Sequence, residues 1–346
     1  MNKKNIVIGI LVVIAIALSY VDIIPDNNVV QMLFNIVLIV AGFYMLIKGA
    51  DIFVEAASKI ATKFNIPQMV IGLTIVAFGT SLPEAAISIK GALSGNVGIT
   101  IGNVVGSNIM NILLILGVAS CLAALPIKKN TLKIEMPFVI FVTVLLLVLG
   151  MFGDNLSRID GVIFIVFMAL FMVYLVVSAK KGEADDEEGT EVTEKDTMLK
   201  LVILVVAGII CIVIGSNVTV DAASFVATKC GMSNRLIGLT IVAFGTSLPE
   251  LVTSATAAKR GKVDIAIGNI VGSNIFNILF VVGVCAVITP VAFEAAFIKD
   301  TVVAIVAAIM LLLCVVKNKK LTKTGGIIML VSYAVYFAYI LYMNYR

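Results

Sequence analysis

Eleven apolar runs alternate with short polar or charged stretches along the 346-residue chain. They lie at about 5–24, 30–50, 68–92, 98–124, 131–152, 158–178, 199–218, 234–258, 263–289, 298–316 and 324–343. Each is close to the ~20 residues an α-helix needs to cross a bilayer core. The pattern predicts an all-α membrane protein. Lys3, Lys4 and the small residues Ala15 and Ala17 are compatible with a cleaved signal peptide. The first run continues to Ile24, however, so a retained extra helix is expected over residues 1–29.

Composition strengthens this picture. The chain is 61% hydrophobic and 13% charged, against roughly 45–50% and about 25% in soluble domains. There are too few polar side chains to cover a water-exposed surface, and the lipid bilayer is the expected partner. A net charge of +4 argues for neither nucleic acid nor an acidic partner. The chain has no histidine. That excludes Ser–His and Cys–His catalysis, histidine metal sites and histidine proton relays, and the chain reads as no enzyme. Five cysteines without a CxxC pair read as small buried hydrophobes.

Charge placement sets the orientation. With the N-terminus in the cytoplasm, inside segments hold eighteen Lys and Arg and outside segments six, with Lys48 near a helix end. Cytoplasmic loops carry such an excess. The expected location is the cell (plasma) membrane, crossed many times, with residues 179–198 in the cytoplasm. That segment is acidic and does not fit an EF-hand loop, so it reads as a solvated linker.

The chain also repeats itself. GLTIVAFGTSLPE occurs at 72–84 and again at 238–250, identical through thirteen positions at an offset of 166. The same offset aligns GNVVGSNIMNILLILGVAS (102–120) with GNIVGSNIFNILFVVGVCA (268–286), and Ser88 with Ser254. Each copy spans five apolar runs, within 30–178 and 199–346. Five is odd, so the second copy enters the membrane from the opposite side. Such inverted repeats are an architecture of secondary transporters, whose ion sites lie between the repeats. The expected fold is a ten-helix core of two inverted five-helix repeats with broken helices.

Glu84 and Glu250 stand at equivalent positions inside apolar runs. A carboxylate at the bilayer centre costs at least ~2.5–3.5 kcal/mol, so an intramembrane acid marks function by default. Pro83 and Pro249 precede the acids, and a proline disturbs the carbonyl four residues back, here Gly79 or Gly245. A freed carbonyl in lipid needs a partner, and a metal cation is one. Thr80, Ser81, Thr246 and Ser247 add hydroxyl oxygens beside each break. Ser107 and Asn111 share one helix face, as do Ser273 and Asn277. Asn103, Asn108, Asn269 and Asn274 add amides, some of them as interhelical glue. Gly102/Gly106 and Gly268/Gly272 have the spacing of close helix approach. Two carboxylates and many neutral oxygens suit a hard cation such as Ca2+, which takes 6–8 oxygen ligands. Two glutamates also balance its charge.

At these residues the chain resembles the cation/calcium exchanger superfamily, specifically prokaryotic sodium/calcium exchangers. GTSLPE and GSN-x-x-N, each present twice, carry the resemblance over about residues 30–343. It implies that Glu84 and Glu250 ligate Ca2+ and also serve Na+, and that the Thr80 and Thr246 carbonyls complete the Ca2+ site. Ala77, Ala243, Ser81, Ser247, Ser107 and Ser273 would help form flanking Na+ sites, with Asn111 and Asn277 at the centre. Some microbial and most potassium-dependent members carry Asp where this chain has Asn277, which argues against potassium cotransport. The helices at 30–50 and 199–218 would slide past the rest in alternating access.

The expected function is exchange of Ca2+ for Na+, both as substrates, with no cofactor. One chain holds both halves of the site, so a monomer suffices. The alternative is a Ca2+/H+ exchanger of the same fold. A cation channel also needs intramembrane acids, but broken inverted repeats favour alternating access.

Overall fold

Apolar runs of this length fold as helices because lipid offers no partner for an open backbone N–H or C=O. The computed structural model describes residues 28–93, 98–152, 155–180, 192–193, 196–231, 241 and 243–345. The expected helix at 5–24, most of the linker and the start of the second GLTIVAFGTSLPE copy lie outside the described residues. Among the described residues eight helices are long and apolar enough to cross a membrane, and a bent pair supplies a ninth span.

In chain order the helices are α1 (Asn28–Lys63), α2 (Gln68–Thr80) and α3 (Leu82–Leu93), then α4 (Thr100–Leu122), α5 (Thr131–Met151) and α6 (Arg158–Lys180). The second half holds α7 (Met198–Lys229), α8 (Ala243–Thr246), α9 (Leu248–Lys259), α10 (Val263–Ile288), α11 (Ala295–Val316) and α12 (Lys323–Tyr345). Two of them outrun the apolar pattern. The expected spans at 30–50 and 199–218 belong to helices that continue to Lys63 and Lys229. Hydropathy drops after residue 50 because Asp51, Glu55 and Lys59 are charged. The helix persists because those charges are paired.

α1 and α7 end alike. Asn65 (φ 52°) and Gly231 (φ 86°), one offset apart, take the left-handed conformation just past the helix. There the chain turns back on the last carbonyls, Ile66 N bonding Ala61 O and Gly231 N bonding Thr228 O.

α4 and α10 form the interior, and α10 is buried from Asp264 through Phe276. α1, α6 and α7 turn apolar side chains outward, as lipid-facing helices do. α1 and α7 run antiparallel along a glycine seam. A methyl at Gly42 would stand 2.8 Å from Gly215 O, and one at Gly49 3.0 Å from Gly208 O. Gly42 and Gly49 are the offset equivalents of Gly208 and Gly215, so the seam is symmetric within the repeat.

Two short antiparallel ribbons join the halves. β1 (Leu125–Pro126) pairs with β4 (Lys320–Leu321), and β2 (Asn155–Leu156) with β3 (Val291–Ala292). The offset makes Leu125 equivalent to Val291 and Asn155 to Leu321. β1 and β2 sit at opposite ends of α5, so the equivalent strands β1 and β3 lie at opposite ends of the molecule. An inverted repeat requires this placement.

Candidate functional site

Each acid is set by a break in its helix. α2 and α3 meet at 51° around Ser81, whose backbone (φ −84°, ψ 7°) leaves the helix just before Pro83. Ser247 has φ −92° and ψ 5° before Pro249. Proline lacks the N–H that would continue the ladder. The carbonyl that Pro249 leaves without its usual donor, Gly245 O, accepts a hydrogen bond from Ser216 Oγ of α7 at 2.7 Å. At this position the partner is a neighbouring helix.

Glu84 and Glu250 are fully buried. Each is served by the other repeat. Ser81 Oγ donates to Glu250 Oε1 at 2.8 Å, and Ser247 Oγ donates to Glu84 Oε1 at 3.2 Å. Ser107 Oγ lies 3.5 Å from the same Glu84 oxygen and 3.3 Å from Ser247 Oγ. Ser273 Oγ reaches Ala77 O at 3.4 Å. Ala243 and Thr246 bound the short helix α8 at the second break. Gly268 and Gly272 let α10 press on α2: added methyls would stand 2.9 Å from Met69 O and 2.8 Å from Leu73 O.

The asparagines split into two roles. Asn103 Nδ2 donates to Glu84 O and Ser88 Oγ, and Asn269 Nδ2 to Glu250 O and Ser254 Oγ. Thr80 Oγ1 donates to Asn269 Oδ1 at 2.9 Å, so its hydroxyl is tied into this scaffold. Asn108 and Asn274 exchange bonds with each other's carbonyl across the repeats. They also receive Asn277 Nδ2 and Asn111 Nδ2, each at 3.1 Å. These amides are interhelical glue.

Four symmetric acceptors remain buried without a donor: Glu84 Oε2, Glu250 Oε2, Asn111 Oδ1 and Asn277 Oδ1. Burying an ionised carboxylate costs several kcal/mol. A hydrogen bond to a charged group returns only ~1.5–3 kcal/mol. The one or two serine bonds per glutamate leave Oε2 of each acid without a partner, a place a cation would fill. The donor set is oxygen alone and carries −2 when both acids are ionised, which fits one Ca2+ or a group of Na+ ions. Among the described residues no three Asp, Glu, His or Cys side chains cluster as a metal site. Neutral oxygens would have to supply the rest.

Sequence reasoning missed two hydroxyls. Ser216 has Ala50 as its equivalent, and Thr253 Oγ1, buried without a partner one turn beyond Glu250, has Ile87. The repeat marked neither. A hydroxyl inside an apolar helix was the only available signal.

Comparison with known proteins gives the family and the fold. A family model described as sodium/calcium exchanger protein matches residues 34–177 and 200–342, one match per repeat. The sodium/calcium exchanger MaX1 of Methanosarcina acetivorans is 32% identical over 346 residues, covering 89% of this chain and 99% of that protein. The inner membrane protein YrbG of Escherichia coli is 33% identical over 326 residues, covering 90% and 98%. The solved structure of the sodium-calcium exchanger NCX_Mj soaked with 10 mM Na+ and zero Ca2+ superposes with a TM-score of 0.77 at 32% identity, covering 89% and 99%. The chain belongs to the sodium/calcium exchanger protein family.

Proposed function

We propose that this chain is a secondary antiporter that exchanges Ca2+ for Na+ across the plasma membrane by alternating access. The observation that carries this reading is the set of four unpartnered oxygens, two from each repeat, around two buried glutamates. Glu84 and Glu250 ligate Ca2+ with the Thr80 and Thr246 carbonyls. Ser81, Ser107, Ser247 and Ser273, with Ala77 and Ala243, form the Na+ positions, and Asn111 and Asn277 face the centre. Residues 30–178 and 199–346 act as inverted halves of a ten-helix core, joined by the cytoplasmic linker 179–198. Residues 1–29 add one more membrane helix.

Ca2+ balances the two carboxylates. Three Na+ would leave the site one charge positive and exchange electrogenic, whereas two would leave it neutral. The α1–α7 pair slides along the rigid core and opens the site to one face at a time. Neutral oxygens matter to Na+, which sheds its hydration shell, and not to a proton. In proteoliposomes loaded with Na+, external Ca2+ should accumulate, and collapsing the pH gradient should change nothing. Uptake that follows a proton gradient in Na+-free buffer would make the chain a Ca2+/H+ exchanger.

A further inference from the structure

Arg260 closes α9, the helix that carries Glu250. Its backbone is fixed there: Gly261 (φ +74°) turns the chain so that its N–H bonds Ala258 O at 3.1 Å, and Lys262 N bonds Ala257 O at 2.8 Å. The guanidinium reaches across to α1. Nε donates to Asp51 Oδ1 at 3.0 Å, Nη2 lies 2.8 Å from the same oxygen, and Nη1 donates to Glu55 Oε2 at 3.2 Å. Asp51 and Glu55 stand one turn apart, so one planar fork spans both.

α1 is in turn bound to α7. Beyond the glycine seam, Asp196 takes Lys59 of α1 at 3.3 Å and Lys200 of α7 at 3.1 Å, and its carbonyl accepts from Lys63 Nζ at 2.9 Å. The Asp196 contacts hold the two helices as one unit. Those of Arg260 tie that unit to the core.

The repeat is unequal at this point. The offset makes Ser94 the equivalent of Arg260, Asn217 of Asp51, Asp221 of Glu55 and Phe225 of Lys59. Two identical inverted repeats would give the sliding pair two end states of equal energy. Here one end carries a cationic fork over two acids. The equivalent positions at the other hold one acid and no cation.

We infer that Arg260 is a positioning residue of the exchange cycle: it latches the α1–α7 pair to α9 and favours the arrangement seen here over the oppositely open one. This rests on the antiport reading, in which α1 and α7 slide. The latch closes the face on which Arg260 lies, cytoplasmic by the lysine count. The three side chains are part-exposed, so the expected shift in population is about three- to tenfold.

The test uses the full chain, inserted in one orientation in proteoliposomes, and the variant R260Q. The apparent KM for Ca2+ should fall about three- to tenfold on the Arg260 face and rise on the opposite face, with a smaller change in kcat. R260K, which keeps the charge but lacks the planar fork that spans both acids, should fall between R260Q and the wild type on both faces. Unchanged KM on both faces, or equal changes in the same direction, would overturn the latch. Should R260Q not insert, high ionic strength on that face of the wild type screens the same pairs and must give the same split. Spin labels at Phe64 and Lys259 should move apart in R260Q whichever ion drives transport. A wild type without Na+-coupled flux would end the antiport reading, while this distance still decides the latch.

Discussion

Ser81 of the first repeat donates to Glu250 of the second across 2.8 Å. Ser247 returns the contact to Glu84 at 3.2 Å. Neither acid is served only by its own half, so loss of either should disable the whole site. Glu84→Gln and Glu250→Gln should each abolish Ca2+ transport, while folded protein remains in the membrane. Near-normal flux from either variant would remove the central role of the pair.

Asn277 offers an amide oxygen and no charge, and its Nδ2 is bound by Asn108 Oδ1 at 3.1 Å. Ca2+ exchange should therefore be indifferent to K+ at a clamped membrane potential. A strict requirement for K+ would show that the central position works differently.

Ser216 fills the open carbonyl of Gly245 at 2.7 Å. An unsatisfied buried acceptor costs about 1–3 kcal/mol. Ser216→Ala should thus lower the stability of the folded chain by about that amount, read by denaturant or thermal unfolding in detergent. The same change in a solvent-facing serine should have no comparable effect. Equal stability of S216A and wild type would mean that Gly245 O has another partner.

The acids, the breaks and the repeat were legible because duplication left identical polar residues at membrane depth. Ser216 was not, since its counterpart Ala50 carries no donor and a lone serine is common in membrane helices. The lower halves of α1 and α7 were hidden for another reason. In α1 the charges end the hydropathy signal, and the tertiary partners Arg260 and Asp196, which sequence does not show, pair them; these pairs do not account for the end of α7. The π-helical turns at Gly72–Val76, Asn111–Ile115 and Asn277–Val282 left no mark in the apolar period. They are single-turn deviations that often accompany functional sites.

Topology has a direct check. Lys319 and Phe152 are exposed at opposite ends of the molecule. The lysine count puts the first inside and the second outside. In a cysteine-free background on intact cells, an impermeant thiol reagent should label Phe152→Cys and spare Lys319→Cys. The reverse pattern would invert the orientation.

Asp196 gives a pH signature. The Thr193 N–H, then the Lys200 and Lys59 ammonium groups, hold its carboxyl well below the usual range. A lowered folded value means that its contribution is complete above about pH 4, where an unfolded aspartate is ionised. It fades as pH falls through the folded value. The melting temperature of Asp196→Asn should lie below wild type at pH 7, and the gap should narrow on acidification toward pH 3. A gap that widens in acid would contradict the assignment.

The two β-ribbons have a consequence for how such a molecule can move. One stitches the end of α4 to the α11–α12 turn, and the other stitches the α5–α6 turn to the end of α10. The halves are hemmed together at both rims, so swinging them apart like the jaws of a clamp would have to break both ribbons. α1 and α7 lie outside both stitches and meet along glycines. The freedom to move is thereby concentrated in the part of the chain that carries neither glutamate, and the ions can stay where they are while the wall beside them travels.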